Sequence, residues 1–200
     1  MLPPPMALST AERAKQWQLP NLLTYGRVLA VPIVVGCLFP PDQFGMRVLA
    51  IVVFVIAAVT DFFDGYLARA WSQQSALGRM LDPIADKLLV AACLLMLVAD
   101  QTITSWSIWA AIVILCREIL VSGLREFLAE LRVPVPVSTV AKWKTTVQLL
   151  AIGFLVAGQV GEALLPGSIK IGIGLLWIAA ILTLYTGWDY MKAGFKHVVD

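Results

Sequence analysis

The sequence predicts an all-α membrane protein: six transmembrane helices preceded by a short amphipathic helix. Three observations lead there. Of 200 residues, 60% are hydrophobic and 14% charged, with a mean hydropathy of +0.83, whereas soluble domains carry roughly 45–50% apolar and about 25% charged residues. The apolar residues gather into six runs, each near the roughly 20 residues that a helix needs to cross a bilayer. Lysine and arginine collect on one side of those runs, as expected of cytoplasmic loops. A disordered chain, a disulfide scaffold and a water-soluble enzyme with one small core are thereby excluded. A net charge of +2 and a pI near 8.5 are too mild for a nucleic-acid partner, whose footprint is a basic patch or stripe. Cys37, Cys93 and Cys116 sit in apolar stretches without paired spacing and read as small buried hydrophobes.

In chain order, residues 1–20 form a polar, proline-rich segment in which Ser9 or Thr10 caps a helix over Ala11–Gln18 and Trp17 anchors at the membrane interface. Its order of charge and apolarity is not that of a cleaved signal peptide. Residues 21–200 form one six-span domain, with spans at about 22–39, 47–69, 79–99, 106–129, 140–160 and 170–190. Pro40-Pro41-Asp42 separates the first two, Trp71–Leu77 the second and third, Arg132–Pro136 the fourth and fifth, and Gly161–Lys170 the last two. An even number of spans puts both termini on the side that holds Arg13, Lys15, Arg69, Arg79, Arg132, Lys142, Lys144, Lys192 and Lys196. The other side has little more than Arg47 and Lys170, so both termini are expected in the cytoplasm. Tryptophans near span ends read as interface anchors, the Gly-rich IGIGLLW in the last span as a helix-packing face, and His197 as a solvated side chain.

Four carboxylates disturb this apolar pattern. An ionised group in a span costs about 2.5–3.5 kcal/mol at the centre and usually marks function. Asp61 and Asp64 are three apart, Asp82 and Asp86 four apart, so each pair shares a helix face. A connection of about eight residues makes the two helices antiparallel neighbours, so the four acids converge. One intramembrane aspartate is readily explained as a polar contact between helices; four at these spacings, with Gly65, Gly78 and Arg69 interleaved, call for a bound cation. Hard oxygen ligands suit Mg²⁺ or Mn²⁺, and so many can hold two ions. Asp61 precedes Arg69 by eight residues, which places it roughly 12 Å below the cytoplasmic helix end. A substrate with a phosphate head and apolar tails can enter such a pocket sideways from the leaflet. The two glycines permit close approach, Arg69 suits a phosphate, and Pro83 falls near a helix start, where proline is tolerated.

Asp61-x-x-Asp64-Gly65-x-x-Ala68-Arg69, then Gly78-x-x-x-Asp82-x-x-x-Asp86, resembles the signature of the CDP-alcohol phosphotransferases, with every one of its eight fixed positions matched over 26 residues. The resemblance implies a six-span bundle, usually a homodimer, that transfers a phosphatidyl or similar group from a CDP-linked donor to an alcohol and releases CMP. It implies Asp61, Asp64, Asp82 and Asp86 as ligands of two divalent cations, with Asp86 as general base and Asp82 beside it in the catalytic group. It also implies a CDP site that includes Asp64, Gly65, Ala68, Arg69, Gly78 and Asp82. Two metals flanking a diphosphate would neutralise its charge and stabilise the leaving oxygen in an in-line displacement.

The acceptor is read from basic residues elsewhere. Arg117 and Arg125 lie eight apart in CREILVSGLREFLAE and can face one way. Lys142 and Lys144 open the next span. These four cations predict an acceptor that carries its own phosphate. Positive-inside charge is the plainer explanation for Arg132 and competes for Lys142; pairing with Glu118 competes for Arg117. LPNLLTYGRVLAVP (Leu19–Pro32), REILVSGLRE (Arg117–Glu126) and KWKTTVQ (Lys142–Gln148) are similar to the bacterial phosphatidylglycerophosphate synthase branch of that family. This similarity implies CDP-diacylglycerol and sn-glycerol 3-phosphate as substrates, Asn21 and Thr24 beside the nucleotide, Arg27 in the phosphate region with the acceptor cations, and a place in the bacterial inner membrane with the site facing the cytoplasm. Sister enzymes using serine, inositol phosphate or phosphatidylglycerol are the nearest alternative, but an uncharged acceptor needs no converging cations. A membrane prenyltransferase predicts more spans. A cation transporter predicts broken helices and internal symmetry, and neither is present in the sequence.

Overall fold

The computed structural model describes residues 19–40, 43–71, 76–131 and 139–198. These form six helices: α1 (Leu19–Leu38), α2 (Phe44–Trp71), α3 (Ala76–Ala99), α4 (Ser107–Glu130), α5 (Thr139–Leu164) and α6 (Ser168–Val198). The expected helix over 11–18 lies outside the described residues. Segments of α1, α2, α4, α5 and α6 are long and apolar enough to cross a membrane. The first half of α3 carries Arg79, Asp82, Asp86 and Lys87, which lowers its apolarity and leaves its second half to supply the hydrophobic contacts. The chain is a multi-pass, all-helical membrane protein.

Helix ends fall within a few residues of expectation, with three corrections. The last helix continues to Val198. The break expected over Gly161–Lys170 narrows to Leu165–Gly167, because the Glu162 carboxylate accepts from the Gly167 and Ile169 amides (2.7 and 3.2 Å) and the Ser168 hydroxyl (3.2 Å), capping α6 from within α5. Pro83 is not near the start of α3 but two turns in, where its ring leaves the Arg79 carbonyl without the usual helical donor. Cys37 and Cys93 are buried as expected, whereas Cys116 is exposed on the outside of the bundle. Lipid tails are as apolar as a protein core, so an outward position costs that residue little.

The core runs through Val34, Leu94, Leu97, Ile114, Ile152, Leu155 and Leu176, all fully buried. α5 and α6 pack along each other, α1 lies against α2 and α3, and α4 leans on α6 while barely touching α3. That parting of α3 from α4 opens a cavity at the end of the bundle where α2 stops and α3 begins.

At the opposite end the chain is closed. Arg47 near the start of α2 reaches Asp100 after α3 (2.6 Å), the Thr102 hydroxyl (2.9 Å) and the Val156 and Leu155 carbonyls of α5 (3.0 and 3.4 Å). Gly158 makes those carbonyls available: its φ of 47° interrupts α5, and a Cβ there would stand 2.5 Å from the Arg47 guanidinium, so glycine serves both the kink and the close approach.

Candidate active site

All six helices contribute to a cavity of about 520 Å³. Its acidic half is built by α1, α2 and α3. Asp61 stands ten residues before the end of α2 and Asp86 ten residues after the start of α3, so antiparallel packing brings both to the same depth, roughly 15 Å from that end. Asn21, Thr24 and Arg27 recur at three-residue intervals on α1 and are all buried, presenting one polar face to α3. The Arg27 Nη1 lies 3.0 Å from Asp61 Oδ1, 3.0 Å from Asp82 Oδ1 and 2.7 Å from Asp86 Oδ1. Thr24 Oγ1 is 3.5 Å from the same Asp82 oxygen. Arg27, grouped by sequence with the acceptor cations, is thus engaged with the carboxylates. Gly78 is buried in the first turn of α3. Asp64, Gly65, Ala68 and Arg69 continue α2, but their side chains, like that of Lys142, lie outside the described ones.

The basic half is built by α3, α4, α5 and α6. Lys87, Arg117, Arg125 and Lys144 line it, and Glu118 is the one carboxylate among the described residues lining this half. Lys144 is buried and pairs with Glu118; Lys87 donates to the Ser122 hydroxyl, bridging α3 and α4 where their backbones part. The pairing of Arg117 with Glu118 that the sequence allows is present, Nη1 standing 3.5 Å from Oε1, and Lys144 shares that oxygen. Arg117 is also held from α6. Its Nη2 donates to Thr186 Oγ1 at 2.8 Å, its guanidinium lies 5.7 Å from the Tyr190 ring centroid, and a Cβ on Gly187 would come within 3.1 Å of its Cγ. Two buried polar atoms here have no hydrogen-bond partner: Arg117 Nε and Gln148 Oε1.

Of the residues singled out from the sequence, Arg27, Asp61, Asp86, Arg117, Arg125 and Lys144 line the cavity, and Asp82 joins them through its contact with Arg27. Sequence reasoning missed Lys87, an intramembrane cation whose position beside Asp86 was signal enough. It also missed Glu118 and Gln148 as cavity residues, although both lie in quoted stretches. Thr186, Gly187 and Tyr190 carry no motif, and nothing short of packing reveals them.

Three carboxylate oxygens within 3.0 Å of one nitrogen are a hard-oxygen donor set of the kind that holds Mg²⁺ or Mn²⁺. Among the described residues no three acidic, His or Cys side chains are assembled as a metal site. The donor type fits a divalent cation, while the arrangement does not yet match octahedral Mg²⁺, which needs oxygens at about 2.0–2.1 Å, because the carboxylates are turned onto Arg27.

Residues 17–185 match the CDP-alcohol phosphatidyltransferase family model. Three curated relatives are each named CDP-diacylglycerol–glycerol-3-phosphate 3-phosphatidyltransferase. The protein of Rickettsia bellii is 45% identical over 90% of this chain and 96% of its own length. That of Salmonella choleraesuis is 39% identical over 92% and 99%, and that of Cereibacter sphaeroides 38% over 92% and 98%. A match of this extent, together with aspartates from α2 and α3 converging where the signature requires, makes the chain a member of the CDP-alcohol phosphatidyltransferase family.

Proposed function

We propose that this protein transfers the phosphatidyl group of CDP-diacylglycerol to sn-glycerol 3-phosphate, giving phosphatidylglycerophosphate and CMP. The observation that carries the reading is the division of one cavity into an acidic half and a half with four basic side chains against one carboxylate. A donor diphosphate belongs with the first half and a phosphorylated acceptor with the second. The names of the relatives agree with both substrates.

In this reading Arg117, Arg125 and Lys144, with Lys142 and Lys87, hold the acceptor phosphate and hand its free hydroxyl toward Asp86. Asp86 takes the hydroxyl proton as the alcohol oxygen attacks the phosphorus that carries the diacylglycerol. The bond from that phosphorus to the bridging oxygen breaks, and CMP leaves with the electron pair. Asn21 and Thr24 border the nucleotide, with Asp64, Gly65, Ala68, Arg69, Gly78 and Asp82. Divalent cations held by Asp61, Asp64, Asp82 and Asp86 would neutralise the diphosphate and stabilise the leaving oxygen. Arg27 keeps Asp61, Asp82 and Asp86 together by offsetting their mutual repulsion. The excess of Lys and Arg on one side supports cytoplasmic termini and a cytoplasm-facing site in a bacterial inner membrane, and the family resemblance supports a homodimer.

The test is CMP release by detergent-purified protein with CDP-diacylglycerol, Mg²⁺ and a panel of glycerol 3-phosphate, serine, inositol, inositol phosphate and phosphatidylglycerol. Release with glycerol 3-phosphate alone is expected. Release only with an uncharged alcohol overturns the acceptor assignment, and silence with every acceptor overturns the donor.

A further inference from the structure

Gln148 lies on α5 one turn beyond Lys144, is 3% exposed, and lines the cavity. Its Oε1 is buried without a hydrogen-bond partner. Leaving a buried acceptor unmade is costly, and native proteins rarely do so unless a ligand or water completes the bond. In the basic half of the same cavity a buried donor, Arg117 Nε, is likewise without a partner. The two ask for opposite things of one occupant: an anionic oxygen to accept from Arg117 and an O–H to donate to Gln148. A hydroxyalkyl phosphate supplies both from separate groups, whereas a fully ionised phosphoryl group supplies only the first. If the phosphate is on the cations and one hydroxyl is at Asp86, the hydroxyl left over on a glycerol chain is the donor still needing a partner.

We propose that Gln148 reads the non-reacting hydroxyl of the acceptor alcohol and so sets the choice of glycerol phosphate over simpler hydroxyalkyl phosphates. This rests on the acceptor reading above. A site built to bond a substrate hydroxyl discriminates strongly against the analogue without it, because its own polar group is then left unpaired. Gln148 reaches the substrate and takes no proton, so it is a specificity residue.

The experiment crosses protein and substrate. Full-length protein in detergent is assayed with CDP-diacylglycerol and either sn-glycerol 3-phosphate or 3-hydroxypropyl phosphate, which lacks the middle hydroxyl. The wild type is expected to prefer glycerol 3-phosphate at least ~10-fold in kcat/KM. Gln148→Met, of similar length and without the oxygen, should lose ~10-fold or more with glycerol 3-phosphate and less than ~3-fold with the deoxy analogue, collapsing the preference. Gln148→Glu, which keeps an acceptor oxygen at that reach, should retain it. Gln148→Ala replaces the Met variant if that one does not purify folded. Equal losses on both substrates would show a packing role and overturn the proposal, as would an unchanged preference in the Met variant. Failure of the acceptor reading looks different: wild type would release CMP with neither phosphate ester while doing so with serine or inositol, and both readings would fall together.

Discussion

Arg47 and Arg117 are equally secluded, their side chains 12% and 11% exposed, yet the protein treats them differently. Around Arg47 every nitrogen has a partner: Asp100, Thr102 and the Leu155 and Val156 carbonyls. Asp100 is satisfied in turn, since its other oxygen accepts from the Thr102 amide at 2.9 Å. Around Arg117 the nearest carboxylate is committed to a lysine, the Glu118 contact is long, and the Nε is unpartnered. A buried guanidinium whose donors all end on the protein ties helices together. One left partly unsatisfied beside a cavity is held for something that arrives. One end of the bundle is therefore closed on itself and the other is built incomplete, which is the expected arrangement where function is purchased at some expense of stability.

The largest effect should come from the acidic half. Asp86→Asn and Asp61→Asn keep side-chain volume and remove charge. CMP release should fall by roughly 10²–10⁴-fold, the contribution typical of a positioned acid or base, while the thermal midpoint in detergent changes little. Near-wild-type turnover in Asp61→Asn would sink its place in the reaction centre. The closed end should show the reverse. Arg47→Met or Asp100→Asn leaves a buried partner unpaired and should destabilise by about 3–5 kcal/mol, read as a lower unfolding midpoint, with turnover per folded molecule retained. The double variant Arg47→Met/Asp100→Leu should recover much of that loss, because removing both charges is far milder than stranding one. If single variants at the closed end cost activity and not stability, the contrast between the ends is wrong.

The same contrast decides what could be read from the sequence. Asp61, Asp64, Asp82 and Asp86 are legible because a charge inside an apolar run is costly and conspicuous, and because helical spacing of three and four puts each pair on one face. The spans are legible because bilayer thickness sets their length. Arg27 is legible as a site residue, but not its contacts with Asp61, Asp82 and Asp86. Sequence shows that it lies on the face of Asn21 and Thr24, yet the crossing of α1 over α3 decides whether it meets acids or bases. The Glu118–Lys144 pair and the Arg47–Asp100 tie join residues 26 and 53 apart, across helices whose packing no local pattern specifies. Gly158 looked like any glycine in a span; its need for a positive φ appears only with Arg47 seated against it.

The hold that α6 has on Arg117 is the least legible feature and gives the smallest, most discriminating prediction. Arg117→Ala removes the cation and should raise the KM for glycerol 3-phosphate far more than that for CDP-diacylglycerol. Gly187→Ala and Thr186→Val leave the cation in place and disturb only its seat. The added Cβ of the first must push against Arg117 Cγ at 3.1 Å, and the second removes the 2.8 Å bond to Nη2. A lost neutral partner for a charged donor is worth about 1.5–3 kcal/mol when fully buried, but Arg117 keeps its contact with Tyr190 and can shift toward Glu118. The expected result is therefore a rise of roughly 3–10-fold in acceptor KM, with kcat and donor KM nearly unchanged. Thr186→Ser, which retains the hydroxyl, should restore the wild-type value, an outcome that simple loosening of α6 would not give. Equal changes in both substrates would mean that α6 supports the bundle as a whole, and Arg117 would then be placed by α4 alone.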